Sequence, residues 1–309
     1  MAGMAETRNP DPNTTCLTSK FYDSLTDQTI TLNQVTDWKP VLWGPTYSEV
    51  HQLPVWPGDT VGLASAINDQ GQVVGGSGFC TTPATGPLEH ALLWQNENAP
   101  PINLGSLGGT YDNLATAIND RGQVVGWSDL PHDSFDPQTG NFTGTTHSFL
   151  WQDGIMTDLG TLPGDGCPAM CSAYAYGINN AGQVVGESCD ENNTCDAFLW
   201  QNGTMTDLNN PAIERLTTPG SFAILQAEGI NSQGEIVGAA IDTNPGSPFF
   251  GDLLAFSAVP CGTSPATDRS CSQSAHGTIT TAGPSILTPG TDLAPDRSRM
   301  RPGSFAGLP

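Results

Sequence analysis

Two short acidic stretches carry the side chains best suited to chemistry. Asp129, His132, Asp133 and Asp136 fall within eight residues in "WSDLPHDSFDPQTGNFTGTTHSFLW". Carboxylates with an imidazole would suit a divalent cation or a polar ligand. Asp190, Asn192 and Asp196, with Glu191 and Asn193 among them, lie in "ESCDENNTCDAF". Hard oxygen donors of this kind suit calcium, the cofactor expected here, although the spacing is not that of an EF-hand loop. The plainer reading of both stretches is a solvated acidic loop. A third place pairs His147 with Asp158. With Gln152-Asp153-Gly154 as a turn, Trp151 faces Ile155 and Ser148 faces Asp158, which sets His147 diagonal to Asp158 and within hydrogen-bond reach. A structural pair at a strand end fits this better than an acid–base dyad. Asp129, Glu187 and Glu228 are unrepeated acids beside repeated phrases. A carbohydrate hydrolase would need two or three such carboxylates to converge. The chain has no G-x-S-x-G, no H-E-x-x-H and no phosphate loop.

The elements that must hold these residues are written as repeats. "INDQGQVVG" at 67, "INDRGQVVG" at 118, "INNAGQVVG" at 178 and "INSQGEIVG" at 230 are near-copies. "VLWG" at 41, "HALLWQN" at 90, "HSFLWQDG" at 147 and "DAFLWQNG" at 196 accompany them, and a third phrase, "INLGSLGG", "MTDLGTLPGD" or "MTDLNNP", lies between. A period of about 50 residues means stacked supersecondary units. Each unit reads as two hairpins, hence four strands, with Asn179 capping a turn as an Asx residue and Gly182 taking positive φ. The Asn and Gly of the phrase are therefore turn chemistry rather than catalytic groups. "QVVG" sets two valines side by side, and consecutive strand residues point to opposite faces, so both faces must be covered.

Sheets stacked face to face around an axis satisfy that requirement. The expected fold is all-β: a β-propeller-like array of four-stranded repeats with about five blades, four clear copies plus a blade shared between the termini. A fragmentary ring is the alternative. The Trp at 43, 94, 151 and 200 is expected to pack between blades, with carbohydrate stacking as the competing role. Residues 1–20 read as a disordered or processed N-terminal segment, 21–260 as the propeller and 261–309 as a Ser/Thr/Pro/Gly-rich tail. "SKFYDSLTDQTITLNQV" offers one or two further strands.

Composition narrows the partners. With 31 acidic and 9 basic residues the net charge is −22, which repels nucleic acid and anionic lipid. It attracts divalent cations and basic partners. No apolar run reaches the ~20 residues needed to cross a bilayer. Eight cysteines in close pairs, at spacings foreign to zinc sites, point to an oxidising compartment. Cys167–Cys171, Cys189–Cys195 and Cys261–Cys271 are the expected bridges, and Cys16–Cys80 a possible long-range one. "MAGMAETRNPDPNTT" shows no secretory h-region, so export implies a leader lost by truncation or a wrong start.

The phrase set, as in "HALLW…INLGSLGGTYDNLATAINDRGQVVGWS", resembles the HAF repeat of predicted extracellular bacterial proteins over residues 41–258. The His is kept only as His90 and His147, with Asp196 in its place in the fourth copy, and the first copy has lost His-Ala. The resemblance implies a secreted, propeller-like array and carries over no catalytic residue. The expected function is an extracellular, monomeric, non-catalytic binding or surface module for a glycan or a protein. A carbohydrate-active hydrolase on the same propeller is the second reading and a purely structural array the third.

Overall fold

The computed structural model describes residues 1–10, 19–23, 28–32, 36–44, 49–79, 88–132, 134–136, 141–163, 171–210, 222–259 and 278–282. Among these residues there is no helix, and the strands form several antiparallel sheets. Sheet I orders β1 (Ala2–Pro10), β4 (Thr36–Trp43) and β5 (Val50–Gln52); β2 (Ser19–Asp23) and β3 (Gln28–Leu32) make a separate hairpin. Sheet II runs β6 (Val61–Ile67), β7 (Val73–Gly78), β8 (His90–Trp94), β9 (Ile102–Asn103). Sheet III runs β10 (Asn113–Ile118), β11 (Val124–Asp129), β14 (Thr146–Gln152), β15 (Ile155–Gly160), and the hairpin β12 (Ser134–Asp136)–β13 (Asn141–Thr143) interrupts it in sequence. Sheet IV runs β16 (Ser172–Ile178), β17 (Val184–Cys189), β18 (Cys195–Gln201), β19 (Thr204–Asp207). Sheet V runs β20 (Phe222–Ile230), β21 (Ile236–Asp242), β22 (Leu253–Val259), β23 (Thr278–Ala282).

The terminal stretches differ from the sequence reading among the described residues. Within residues 1–20, read as disordered or processed, Ala2–Pro10 is a strand, held by backbone pairing of Ala2–Ala5 with Lys39–Leu42 of β4. Thr278–Ala282, read as tail, is the outer strand of sheet V; "TITTA" is β-branched enough to pair without an apolar pattern. The blade expected to be shared between the termini is not among these sheets, since each takes its strands from one continuous stretch of the chain.

Burial on both faces organises the stack. Val73 and Val74 are adjacent and both fully buried, Val73 in the layer with Leu42 and Leu53 of sheet I, Val74 in the layer with Ala115 and Phe149 of sheet III. Val124 and Val125 divide in the same way between sheets II and IV, and Val184 and Val185 between sheets III and V. Six to nine buried residues fill each layer. Fully burying one valine or phenylalanine is worth roughly 1.5–3 kcal/mol, more than the roughly 0.5–1.5 kcal/mol net of a single hydrogen bond, so packing dominates stability. The repeated tryptophans are packing residues: Trp94 is fully buried with Nε1 donating to Pro54 O at 2.8 Å, and Trp151 and Trp200 border the next two layers.

The glycine closing each phrase has a steric cause. A β-bulge on the first strand of each of sheets II to V leaves Ser65, Thr116, Tyr176 or Glu228 unpaired and pushes a first-strand carbonyl over the second strand. A Cβ on Gly75, Gly126, Gly186 or Gly238 would lie 2.1, 1.9, 1.9 or 2.0 Å from that oxygen. The asparagine joins sheets. Asn119 Oδ1 accepts the N–H of Arg121 and of Gln123, each at 3.0 Å, while Nδ2 donates to Gln123 Oε1 and to Asn179 O in the next sheet. Asn68 donates to Asn119 O in the same way, and Asn179 to Asn231 O, giving one amide ladder across four sheets.

Gly186→Ala is expected to lose at least about 3 kcal/mol in urea unfolding. Gly229→Ala, whose Cβ would meet nothing nearer than Val237 at 3.5 Å, should stay within about 1 kcal/mol of wild type. Equal effects would overturn the bulge account. Asn119→Ala, which strands the N–H groups of Arg121 and Gln123, should cost about 3 kcal/mol in the same assay.

Candidate functional site

The frame is most uniform at its valines, glycines and asparagines, and it varies at two inner positions. The residue after the closing glycine is Gly76, Trp127, Glu187 or Ala239, and the bulged residue is Ser65, Thr116, Tyr176 or Glu228. Sheets III to V thereby gather a cluster of large polar and aromatic groups. Trp127 meets Tyr174 edge to face with centroids 5.5 Å apart, and Tyr176 at 6.3 Å. Trp127 Nε1 donates to Asp112 Oδ1 at 3.2 Å, and Tyr176 OH donates to Glu187 Oε1 at 2.6 Å. Tyr174 stands directly opposite Glu187 in the β16–β17 pair.

This cluster is electronegative and poorly hydrated. Burial pushes the Glu187 carboxyl up to about 7; the Tyr176 hydroxyl pulls it down and the Glu228 carboxylate raises it further. Burial also carries the Tyr174 phenol up to about 12, with the Asp112 carboxylate adding to it. Tyr176 is raised well above its ordinary value by burial and then by Glu187, so both phenols stay protonated donors at neutral pH. Glu228 on β20 is exposed and opens the cluster to solvent. Glu187 also lies beside the bridge of Cys189 and Cys195, with donor atoms of all three within 4.8 Å. Those sulfurs are bonded to one another, so they are not thiolate ligands in this state.

The stretches named from sequence come out differently. Asp129 ends β11 fully buried: Oδ2 accepts the Asp112 N–H at 2.6 Å and Oδ1 the Thr146 hydroxyl at 2.9 Å, so it fastens a loop inside the sheet. His132 is exposed at φ 78°, Asp136 sits on β12, and Asp133 lies outside the described residues. Asp190 Oδ1 accepts the N–H of Thr194 and of Asn192, each at 2.8 Å, which holds its carboxyl below the usual range. Asp196 takes Asn209 Nδ2 at 2.6 Å, and Asn192 is exposed with its N–H on Asp190. His147 Nδ1 lies 2.9 Å from Asp158, as expected, but the register differs. The turn is Asp153-Gly154, both at positive φ, which sets Trp151 opposite Met156 and Ser148 opposite Gly160. Burial raises the Asp158 carboxyl, yet the bonds from His147 and the Gly160 N–H hold it below its ordinary value. The Cys189–Cys195 bridge is present at 2.01 Å, and Cys171 is disulfide-bonded. Cys16, Cys80, Cys167, Cys261 and Cys271 lie outside the described residues.

At one end of the stack the Asx turns surround an open depression of roughly 220 Å³, floored by Ile118 and Ile178 and rimmed by Asp69, Asp120 and Asn180. Its rim groups are engaged: Asp120 accepts from Asn180 Nδ2 at 2.7 Å and from the Asp69 N–H at 3.0 Å. Glu187 and Glu228 were legible as unrepeated acids, whereas Trp127, Tyr174 and Tyr176 were missed. The signal for Trp127 and Tyr176 is their place in the varying columns of the four copies, at the bulge and after the glycine. Compared with known proteins, the chain matches no family model, no curated protein and no solved structure.

The folded protein holds the Glu187 proton more tightly than the unfolded chain, whose ordinary value is 4.5. This group therefore costs no stability below pH 4.5, and its cost grows until pH passes about 7. Glu187→Gln should flatten that slope and gain on the order of 3 kcal/mol over wild type at pH 8. Unfolding curves at pH 5 and pH 8 check this, and equal slopes would refute the buried carboxyl.

Proposed function

We propose that this protein is an extracellular, non-catalytic binding module, its sheets blades of a propeller of HAF-type repeats, that captures a cationic group of its ligand at Glu187. The observation that carries the reading is the cluster itself. A half-buried carboxyl accepts the Tyr176 hydroxyl beside the edge-to-face pair of Trp127 and Tyr174, and the charge that acts on it is the negative Glu228. Aromatic faces and carboxylates together favour an ammonium or guanidinium group. Such a cation would neutralise Glu187 and offset the cost of ionising it in a buried place. A net charge of −22 draws basic ligands toward it. Packing of each sheet on its chain neighbours and the amide ladder support the propeller, and the Cys189–Cys195 bridge supports an oxidising location.

The same raised carboxyl beside a second acid supports the hydrolase as the alternative, since a protonated glutamate near neutral pH is what a general acid requires. Calorimetry with spermidine and with a short arginine peptide at pH 8 tests the binding reading. Affinity should fall at least tenfold in Glu187→Gln and weaken in wild type below pH 6, with the variant's pH response lost. Affinity equal in wild type and variant, and abolished by moderate salt, would reduce the effect to bulk charge and sink the proposal. Sugar release from soluble glycans that disappears in Glu187→Gln would favour the hydrolase.

A further inference from the structure

The β17–β18 hairpin of sheet IV carries two directly opposed cysteines, Cys189 and Cys195, beside its connecting turn. Glu187, two residues before Cys189 on β17, projects from the same face of the strand. Its carboxylate and the two sulfurs have donor atoms within 4.8 Å of one another, the one such trio of His, Cys, Asp or Glu among the described residues. Ligands of a single zinc ion, held at ~2.3 Å by sulfur and ~2.1 Å by oxygen, stand up to about 4.6 Å apart. The trio is therefore already close to the span of one ion. Tyr176 OH donates to Glu187 Oε1 at 2.6 Å, the kind of outer bond that orients a ligating carboxylate.

The hairpin has little need of its bridge. Its ladder already runs through six opposed pairs, from Val184 with Trp200 to Cys189 with Cys195. The turn closes on itself: Asp190 N donates to Thr194 O at 2.9 Å, Asn193 N donates to Asp190 O at 3.0 Å, and Asp190 Oδ1 accepts two more N–H groups. Sheet III builds the same place without cysteine. There Asp129 stands opposite Thr146, whose hydroxyl donates to Asp129 Oδ1 at 2.9 Å, and Leu130 N donates to Thr145 O at 2.9 Å. A cross-link stabilises more when it closes a longer loop, and the sheet IV bridge spans a separation of only 6 residues. The cysteine pair thus sits where the fold gains little from it, next to a carboxylate.

We propose that Glu187, Cys189 and Cys195 form a zinc site that the disulfide masks. Cys195 is partly exposed and Cys189 buried, so a dithiol reductant attacks Cys195 Sγ and Cys189 leaves as a thiolate. The second thiol of the reductant then frees Cys195 and closes the reductant's own disulfide. Two electrons pass from the reductant to the bridge, leaving two thiols. Zinc binding displaces their protons. Thiolate sulfur selects zinc over calcium or magnesium, and three protein ligands leave one position for water. Bridge and ion are alternative states of one hairpin. The inference shares a carboxylate with the proposed cation site but needs neither that site's ligand nor the bridged state, so the two readings fail separately.

The full chain, reduced with dithiothreitol and desalted without oxygen, is titrated with cobalt(II), which reports thiolate ligation through a sulfur-to-cobalt charge-transfer band. The band should appear in reduced and not in oxidised protein, and zinc should bleach it. Reduced Glu187→Gln should bind cobalt at least tenfold more weakly, and a Cys189→Ser, Cys195→Ser double variant should bind one cobalt fewer per chain. A double variant that binds as much cobalt as wild type overturns the site, as does equal affinity in Glu187→Gln. Amide exchange of β17 and β18 should match wild type in the double variant. Faster exchange there would make the bridge a structural staple and overturn the proposal.

Discussion

Everything in this molecule depends on sheets II to IV, which have no wet face. Adjacent valines of one strand enter two different cores, so a sheet without neighbours on both sides exposes fully apolar residues to water. No unit can be stable alone, and the hydrophobic layers rather than the loops decide that the sheets must stack. The layers set how strongly they stack; the polar ladder sets how they align. The side-chain amides of Asn68, Asn119 and Asn179 are fully used, two N–H groups accepted and two bonds donated, and one of the donated bonds crosses to the next sheet. Burial is tolerant of a slide by an ångström, whereas that amide is not, and the combination gives a stack both strong and fixed in register.

Steric economy links the frame to its variable site. The bulge moves one residue per sheet out of the pairing pattern and forces glycine on the facing strand. The residue after that glycine and the bulged residue then vary from sheet to sheet. In sheets III to V these places hold Trp127, Tyr176, Glu187 and Glu228, and the raised Glu187 carboxyl follows from gathering acids and rings where water is scarce. Sheet II carries Gly76 and Ser65 at the same places and builds nothing comparable.

Sequence made the repetitive part readable and the particular part hard to read. "QVVG" disclosed two-faced burial, and "INNAG" disclosed the Asx turn, because both depend on local periodicity and local bonding. The contact of His147 with Asp158 was also within reach, although the two-residue Asp153-Gly154 turn and an irregularity between Ser148 and Phe149 shifted the register that led to it. Strands β1 and β23 escaped notice because "AGMAETRNP" and "TITTA" lack an apolar pattern and are strands through pairing alone. Asp129 looked like a loop ligand because nothing nearby in sequence reveals that the N–H of Asp112, seventeen residues earlier, claims its oxygen. The aromatic cluster was invisible for a similar reason: its members come from three successive sheets, between Trp127 and Glu228.

The amide ladder also bears on how the molecule responds to force. Pulling the chain ends apart loads the sheets one after another, and each crossing bond lies between neighbouring turns at one end of the stack. Those bonds clamp the turn end, and at the opposite end the Asn113 N–H on Leu88 O and the paired bonds of Asn209 with Ile224 clamp neighbouring sheets as well. A stretched molecule is therefore gripped at both ends of its stack and keeps the order of its sheets through the excursion.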